Sequence, residues 1–239
     1  MSSAPESSKK RAAVDACNLV RTAFSDARII GIGTGSTIKY FIEACLDFLS
    51  TKSLVTSSFD TGIYLRSKGV KSILDISYAE SIDVYVDGAD EVSSKLDLIK
   101  GRGGAFLREK TLALRASERI YVVDHSKYTG KPYLYLKPVP IEVIQLALPN
   151  VVKSLRLLEE AEVLLRFDNS KDGPVVTDNG NFIIDLKFSK PLENPAKIHE
   201  KLKLIHGVVD TGIFPSYLVD YVVIGYDKES LIVKKTEPG

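Results

Sequence analysis

Cysteine and histidine are scarce in this chain of 239 residues. Its two cysteines, Cys17 and Cys45, are too few for a disulfide framework, and neither has the spacing of a metal site. The three histidines are scattered along the sequence, at His125, His199 and His206, which argues against a zinc site built by the protein. We therefore expect a reduced protein that holds no metal ion.

An excess of charge of one sign is also missing. Lysine and arginine together number 32 against 31 aspartates and glutamates, which gives a net charge of +1. A nucleic-acid-binding protein draws its affinity from a clustered basic surface, so this balance argues against that class. Any anionic ligand must then be held by a few local groups.

Long apolar segments are absent as well. No apolar run reaches the roughly 18 residues that a membrane-spanning helix needs. The N-terminal MSSAPESSKK lacks the apolar stretch that follows the lysines of a signal peptide. Hydrophobic residues make up 44% of the chain and charged residues 26%, a composition that can bury a core. We expect a globular cytoplasmic protein with no membrane partner.

The first half of the sequence alternates between strand and helix patterns. Short apolar runs such as 28–32, 82–86 and 119–123 are separated by segments with helical apolar spacing. Strands separated by helices of this length predict a parallel sheet with right-handed crossovers. The predicted fold class is α/β, a Rossmann-like, mostly parallel sheet with helices on both faces and a smaller inserted α+β subdomain.

The composition changes near Lys131, where prolines begin to punctuate the chain. Beyond this point we predict a helix over 151–161. We also predict a hairpin with arms 175–177 and 181–188, because the Asn-Gly pair between them favours a tight hairpin turn. The predicted domains are a catalytic α/β domain at 1–131 and 210–239 and an α+β subdomain at 132–209.

Loops that follow predicted strands lie at the edge where α/β sheets bind ligands. They are Gly31–Thr37, Thr56–Thr61, Asp87–Glu91 and Lys100–Gly104. The first, GIGTGST, lacks the third glycine of a dinucleotide fingerprint, an acidic residue about 20 positions later, and a Walker lysine. Because it opens a helix, its N–H groups favour a bound phosphate, with an ordinary helix cap as the alternative. The candidate phosphate-binding residues are Thr34, Gly35, Ser36 and Thr37.

Two acids stand directly after the predicted strand 82–86. Asp87 is aimed at the ligand edge, and Asp90 follows three residues later. Paired carboxylates beside a lysine are a common arrangement for proton transfer. The alternative is a tight turn in which Asp90 caps a helix.

The stretch KGRGGAFLREK combines a glycine turn with two kinds of charge. Lys100 could neutralise a developing oxyanion, and the glycines would let backbone N–H groups reach the same atom. These glycines are Gly101, Gly103 and Gly104. Glu109, taken alone, is most simply a solvated helix residue paired with a neighbouring arginine or lysine.

The motifs occur in an order that resembles ribose-5-phosphate isomerase of the A type. That order is GxGTGST, SSxxT, DGADE, KGxGGAxxxREK, DxSK at 124–127, PVPIEV at 138–143 and VTDNGN at 176–181. The resemblance runs from about Lys9 to Lys234, which is nearly the whole chain.

The resemblance implies interconversion of ribose 5-phosphate and ribulose 5-phosphate in the non-oxidative pentose phosphate pathway, without metal or cofactor. By motif, Glu109 is similar to the family's general base, which moves a proton between C2 and C1 through a cis-enediolate. Lys100 matches the lysine that stabilises the enediolate oxygen together with the glycine-loop amides. Asp87 resembles the residue that helps open the furanose ring and moves hydroxyl protons. Asp90 and Lys127 match residues that hold the sugar hydroxyls.

The resemblance extends to the phosphate loop and to assembly. An N-terminal KKxAA pattern adds Lys9 or Lys10 as a phosphate contact, and family members imply a homodimer or homotetramer. Three positions depart from the family pattern. Gly62 stands in the hydroxyl loop where family members often carry another Thr or Ser. Arg102 interrupts the usual triple glycine, which puts the N–H geometry of that loop in question. His125 stands where a small residue is common, and we interpret it as a residue that packs locally or supports the site, with a catalytic role as the alternative.

Two other functions compete with this interpretation. A sugar-phosphate deaminase or a CoA-transferase-like protein shares the architecture, but the REK glutamate and the DGAD pair argue against both. The second competing function is that of a regulator, which would bind sugar phosphate without turnover. The retention of all three catalytic residue types, and the lack of a DNA-binding motif or basic patch, argue against a regulator.

Overall fold

A computed structural model describes residues 6–157, 161–168 and 172–236. The chain forms two compact units. Unit 1 comprises Met1–Ala89, Arg108–Thr129 and Tyr217–Gly239, and unit 2 comprises Asp90–Leu107 and Gly130–Ser216.

Helices and strands alternate through the first half of the chain. In the described ranges the α-helices are α1 (Glu6–Ala23), α2 (Ser36–Leu49), α3 (Phe59–Ser67), α4 (Phe106–Arg115), α5 (Leu148–Arg156) and α6 (Pro195–Lys203). The β-strands in the same ranges are β1 (Ile29–Ile32), β2 (Ser53–Thr56), β3 (Ile73–Leu74), β4 (Ile82–Asp87), β5 (Glu91–Val92), β6 (Leu98–Ile99), β7 (Ala116–Asp124), β8 (Val139–Val143), β9 (Ala161–Leu165), β10 (Phe182–Phe188), β11 (Val208–Thr211), β12 (Ile213–Phe214), β13 (Tyr221–Gly225) and β14 (Ser230–Lys234). None of these helices is both long enough and apolar enough to cross a membrane.

Unit 1 is built on a seven-stranded sheet in the order β14-β13-β7-β4-β1-β2-β3. Neighbouring strands are parallel except β13 and β14, which are antiparallel. Val84 and Val86 face the apolar core that α1 and α2 share, so Tyr85 between them faces the other side of the sheet. Burial raises the pKa of Tyr85, and the charges of Asp87 and Glu109 add to the effect. Because Glu109 is close enough to act on Tyr85, its helix, α4, lies over that side of the sheet. The predicted mostly parallel sheet with helices on both faces is confirmed.

The cysteines contradict the expected reduced protein. Cys17 on α1 and Cys45 on α2 are joined by a disulfide in the buried core of unit 1. The two residues are 28 positions apart, and no local pattern indicates their pairing. The packing of α1 along α2 brings them together, and that contact is a property of the tertiary fold.

Unit 2 contains two antiparallel sheets, one in the order β11-β8-β10-β9 and one in the order β12-β6-β5. The chain passes from the first sheet to the second at Gly212. Its N–H donates to Pro140 O at 2.7 Å, and its carbonyl accepts the Lys100 N–H at 2.8 Å. A Cβ on Gly212 would lie 2.2 Å from the Lys100 carbonyl oxygen, so this crossing requires glycine. It fixes the start of the glycine loop that follows Lys100.

The boundary between the units differs from the expected one. We placed 90–107 and 210–216 with the parallel sheet, whereas both segments belong to unit 2. The reason is strand pairing. Strand β6 pairs with β5 and with β12, and none of the three joins the parallel sheet. Two-residue strands of this kind carry too little periodicity to be recognised in the sequence.

Two predicted elements of unit 2 also differ. Helix α5 ends at Arg156, whereas we expected it to continue to residue 161, where β9 begins; residues 158–160 lie outside the described ranges. The arm 175–177 is not a strand, because it makes a single bridge from Val176 to Phe182. Strand β10 pairs with β8 and β9 instead, which are longer apolar partners. The predicted turn itself is present, since the Thr177 N–H donates to Asn181 O at 2.9 Å.

Glu142 on β8 ties this turn to the sheet. Its side chain is fully buried, and its Oε1 accepts hydrogen bonds from Thr177 Oγ1 at 2.8 Å, Asn179 Nδ2 at 3.0 Å and Asn181 Nδ2 at 2.9 Å. The glutamate of the PVPIEV motif therefore satisfies three donors of the VTDNGN motif. Both motifs serve the folding of unit 2.

We expect Glu142→Ala to lower the free energy of unfolding by about 3 kcal/mol, because donors that it satisfies lose their buried acceptor. Glu142→Gln keeps one acceptor oxygen and should lose clearly less. Urea unfolding followed by circular dichroism measures both variants. Equal losses would show that the acceptor does not stabilise the turn.

Candidate active site

The carboxyl ends of β1, β2 and β4 meet at one edge of the unit 1 sheet, as in other parallel sheets. The loop after β1 leads into α2 through Gly35, which has a φ of 109°. No side chain caps α2, and its first turn contains no acidic residue. The alternative of an ordinary side-chain cap is therefore wrong. Among the described residues no side chain satisfies the first N–H groups of α2, and the positive end of the helix dipole favours negative charge there.

Hydroxyl groups hold this loop in place. Ser58 Oγ lies 3.1 Å from both Thr34 Oγ1 and Thr61 Oγ1, and Thr61 Oγ1 donates to Gly33 O at 2.8 Å. Ser58 also caps α3 by accepting the Thr61 N–H. Next to it, the buried Ser57 Oγ has no hydrogen-bond partner among the described residues. A buried hydroxyl of this kind is a candidate ligand contact, since such groups are nearly always satisfied.

Asp87 ends β4 and is completely buried. Its Oδ2 accepts a hydrogen bond from the Tyr85 hydroxyl, and its Oδ1 accepts the N–H groups of Thr34 at 3.1 Å and Gly88 at 2.7 Å. A Cβ on Gly33 would lie 1.9 Å from Asp87 Oδ1. Gly33 is therefore required by the approach of Asp87, and the same approach joins the loop after β1 to the acid.

Glu109 lies near the start of α4 and is 3% exposed, so the interpretation as a solvated surface residue is wrong. It lies on the side of the sheet that carries Tyr85 and Tyr121, because its charge acts on both hydroxyl groups. The rings of these two tyrosines meet edge to face at 6.4 Å. Burial raises the pKa of both tyrosines well above its usual value of 10.0, and the charges of Asp87 and Glu109 add to the effect. Unit 1 thus brings two carboxylates and two protonated phenols into one buried cluster.

In unit 2, Lys100 is buried, and its Nζ lies 5.5 Å from the centre of the Phe214 ring. The loop that follows has positive φ at Gly101 (108°) and Gly104 (78°). Arg102 has no such φ, and its side chain is 83% exposed. The departure from a triple glycine therefore falls at a position where the backbone tolerates a side chain.

Asp90 does not cap a helix, since it precedes β5. Its Oδ2 accepts the Arg102 N–H at 3.0 Å, and the Arg102 Nε lies 3.7 Å from Oδ1. Its own N–H donates to Ile99 O at 2.8 Å. In this structure Asp90 holds the glycine loop, a role that we did not predict.

The predicted basic contacts belong to unit 1. Lys10 pairs with Glu6 at 2.8 Å and lies over the ring of Tyr40, which is one helical turn from Ser36 on α2. Lys127 is half-buried in a short 3₁₀ helix that directly follows β7. The ring of His125 stacks on Tyr226 with centroids 5.6 Å apart, as expected for a packing residue.

The sequence was compared with family models and with known proteins, and both comparisons point to one family. The family described as ribose 5-phosphate isomerase A (phosphoriboisomerase A) matches residues 53–229. The chain belongs to this family. The resemblance stated from the sequence is thereby confirmed. Ribose-5-phosphate isomerase A of Pyrococcus abyssi is 41% identical over 226 residues, which cover 92% of this chain and 94% of that protein.

Solved structures of isomerases extend the likeness to the fold. Ribose 5-phosphate isomerase A from Methanocaldococcus jannaschii gives a TM-score of 0.86 at 32% identity, covering 96% of this chain and 99% of that one. A D-ribose-5-phosphate isomerase in complex with phospho-erythronic acid gives a TM-score of 0.87 at 36% identity, covering 98% and 100%.

Three residues that lie beside the predicted site residues were not themselves predicted. Tyr85 and Tyr121 lie on the neighbouring strands β4 and β7, where the sequence shows only apolar strand residues. Ser57 stands in a loop that the sequence could not separate from an ordinary polar turn. Their burial is the missing signal, and burial depends on helices distant in sequence.

The raised pKa values predict how stability depends on pH. Unfolded tyrosines ionise near pH 10.0, whereas Tyr85 and Tyr121 stay protonated in the folded protein at that pH. Their contribution to stability is therefore complete below pH 10 and is lost above it, by about 1.4 kcal/mol per pH unit for each group. Urea unfolding between pH 9 and pH 11 should show this decline.

Tyr121→Phe should make the decline shallower, and Tyr78→Phe, at an exposed position, should leave it unchanged. If stability falls with pH equally steeply in the wild-type protein and in both variants, the raised pKa of Tyr121 is not a cause of the decline. Far-ultraviolet circular dichroism can follow unfolding without interference from tyrosine absorbance.

Proposed function

We propose that the protein interconverts D-ribose 5-phosphate and D-ribulose 5-phosphate in the non-oxidative pentose phosphate pathway. The observation that supports this most strongly is the burial of Asp87 and Glu109 in one unit with the uncapped start of α2. A metabolic isomerase of a sugar phosphate needs both features, an acid–base group and an anion site. Membership of the ribose 5-phosphate isomerase A family supports the choice of substrate.

In the proposed reaction Glu109 acts as the general base. It removes the proton from C2 of the open-chain aldose, and the electron pair of that C–H bond forms the C1–C2 double bond of a cis-enediolate. Glu109 then returns the proton to C1, and a proton moves from the C2 hydroxyl to the C1 oxygen. No electrons leave the substrate, so the reaction needs no hydride acceptor.

The enediolate needs more than a base, because a C–H bond next to a carbonyl is a very weak acid. We assign its stabilisation to Lys100 and to the backbone N–H groups of the loop that contains Gly101, Gly103 and Gly104. Losing one such donor typically costs about 3 kcal/mol of transition-state stabilisation. Phospho-erythronic acid, which a related isomerase binds, carries a carboxylate that resembles an enediolate in charge.

The remaining groups are assigned to ring opening and binding. Asp87 would open the furanose ring and move hydroxyl protons, and Asp90 and Lys127 would hold sugar hydroxyls. The phosphate would lie at the start of α2. Its proposed contacts are Thr34, Gly35, Ser36, Thr37 and Lys10. Anchoring the phosphate away from C1 and C2 would position the reacting carbons.

The proposed reaction moves only protons, so we propose that it uses neither a metal ion nor a cofactor. Turnover in excess EDTA should equal turnover in its absence. A large loss of activity, restored by a divalent cation, would contradict this part of the proposal.

Two broader proposals accompany the reaction. We infer a homodimer or homotetramer, because unit 2 exposes large apolar side chains such as Leu146 (92% exposed) and Leu204 (87%). Light scattering of the purified protein would decide this, and a monomer would contradict it. A cytoplasmic location is also proposed, and cell fractionation tests it.

Glu109→Gln tests the reaction. Glutamine has the shape of glutamate but cannot accept a proton, so kcat should fall by about 100- to 10,000-fold, the usual contribution of a general base. Inhibition by phospho-erythronic acid should stay within a few-fold of the wild-type value. The formation of ketopentose phosphate from ribose 5-phosphate is followed by the absorbance of the ketose.

Glu142→Gln is the matched control, since Glu142 is an equally buried glutamate with no proposed catalytic role. It should retain nearly full activity. Near-normal turnover of Glu109→Gln would remove Glu109 from the mechanism. A wild-type protein that binds the sugar phosphate without converting it would favour the regulator.

A further inference from the structure

Arg166, directly after β9, forms an ion pair with Asp185 on β10. Its Nε donates to Asp185 Oδ2 at 2.7 Å, and its Nη2 donates to Oδ1. The side chains are 16% and 19% exposed. This two-pronged contact fixes the plane of the guanidinium group, because both carboxylate oxygens are engaged.

The remaining nitrogen of Arg166 contacts the glycine loop. Nη1 donates to the carbonyl oxygen of Gly101 at 2.8 Å and to that of Arg102 at 3.2 Å. Arg166 is 65 positions from Gly101 along the chain, so neither residue indicates the other in the sequence. The guanidinium group therefore links the sheet of unit 2 to two successive peptide groups of the loop.

A trans peptide group points its C=O and its N–H in opposite directions. Arg166 holds the Gly101 carbonyl, and on the other side of that peptide the Arg102 N–H donates to Asp90 Oδ2. Arg166 Nη1 also donates to the carbonyl oxygen of Arg102. The N–H on the other side of that peptide group, which belongs to Gly103, therefore points away from the guanidinium group. That N–H has no acceptor among the residues that the structure describes. The next N–H, of Gly104, closes the turn by donating to Gly101 O at 3.0 Å.

We propose that Arg166, oriented by Asp185, is a positioning residue that aims the Gly103 N–H at the developing oxyanion of the substrate. The inference rests on the proposed isomerase reaction and adds to it a residue outside the motifs that carry the family resemblance. Arg166 does not touch the substrate in this proposal. It acts by holding the two carbonyl groups behind the loop.

The chemistry requires arginine at this position. One guanidinium group offers a planar fork to Asp185 and a further N–H edge to the carbonyl groups, whereas a lysine ammonium is a point charge at the end of a flexible stem. Arg166→Lys should therefore keep the positive charge near Asp185 and lose the orientation of the loop. Asp185→Asn should keep the guanidinium group and loosen its plane.

A plain stabilising ion pair is the competing explanation, and the chain contains a matched control for it. Arg119 pairs with Asp220 in unit 1 through Nε and Oδ2 at 2.6 Å, with side chains 18% and 24% exposed. That pair has the same residue types and similar burial, and we assign it no part in the reaction. Arg119→Lys therefore reports what the loss of such an ion pair does to stability alone.

The experiment compares Arg166→Lys, Asp185→Asn and Arg119→Lys with the wild-type protein. For the two unit 2 variants we expect kcat to fall by about 10- to 100-fold, as for a misplaced transition-state donor, while KM changes little. Inhibition by phospho-erythronic acid should weaken along with kcat, and inhibition by inorganic phosphate should not. Arg119→Lys should lower the melting temperature and leave all of these constants near their wild-type values.

Hydrogen exchange gives a readout that is independent of activity. The amides of Arg102 and Gly104 are hydrogen-bonded, so their segment should exchange faster in both unit 2 variants than in Arg119→Lys. Unchanged exchange in that segment would overturn the proposal, as would a loss of kcat no larger than that of Arg119→Lys. An inactive wild-type protein would instead overturn the proposed function, and the exchange experiment would still decide whether Arg166 orders the loop.

Discussion

The buried carboxylate of Asp87 is the constraint on which the site in unit 1 depends. A carboxylate without solvent needs hydrogen-bond donors, and here a tyrosine hydroxyl and two backbone N–H groups supply them. One of those donors is the Thr34 N–H, so the acid at the end of β4 and the loop after β1 hold each other. The same approach leaves no room for a side chain on Gly33. The first residues of α2 are consequently oriented by a residue 53 positions away.

The glycine loop of unit 2 is ordered in a different way. Arg166 donates to the carbonyl oxygens of Gly101 and Arg102 and so orients the peptide groups of the loop. Asp90 accepts the N–H of Arg102. Positive φ at Gly101 and Gly104 shapes the turn, and Gly212 fixes its start at Lys100. Backbone groups ordered in this way pay little reorganisation cost during a reaction, which makes them effective donors to a developing charge.

The structure shows roles for several residues that their local sequence does not indicate. Gly33, in the loop after β1, makes room for the side chain of Asp87. Arg102, which interrupts a glycine run, occupies a position with ordinary backbone geometry. Cys17 and Cys45, too few to predict a framework, meet between two helices. For Gly33 and for the two cysteines the deciding partner is distant in sequence, so composition and spacing could not reveal it.

The sequence by itself determined the alternation of strands and helices and the loops at the carboxyl edge of the sheet, and its motif order, through the family resemblance, singled out Asp87, Lys100 and Glu109 as candidates. These follow from periodicity and from short motifs, which are local properties of the chain. Only the tertiary structure decided that Glu109 is buried, that two tyrosines stay protonated beside the acids, and that Arg166 holds the glycine loop. Burial, proton affinity and long-range hydrogen bonds depend on which distant segments pack together, and that packing is a property of the whole fold.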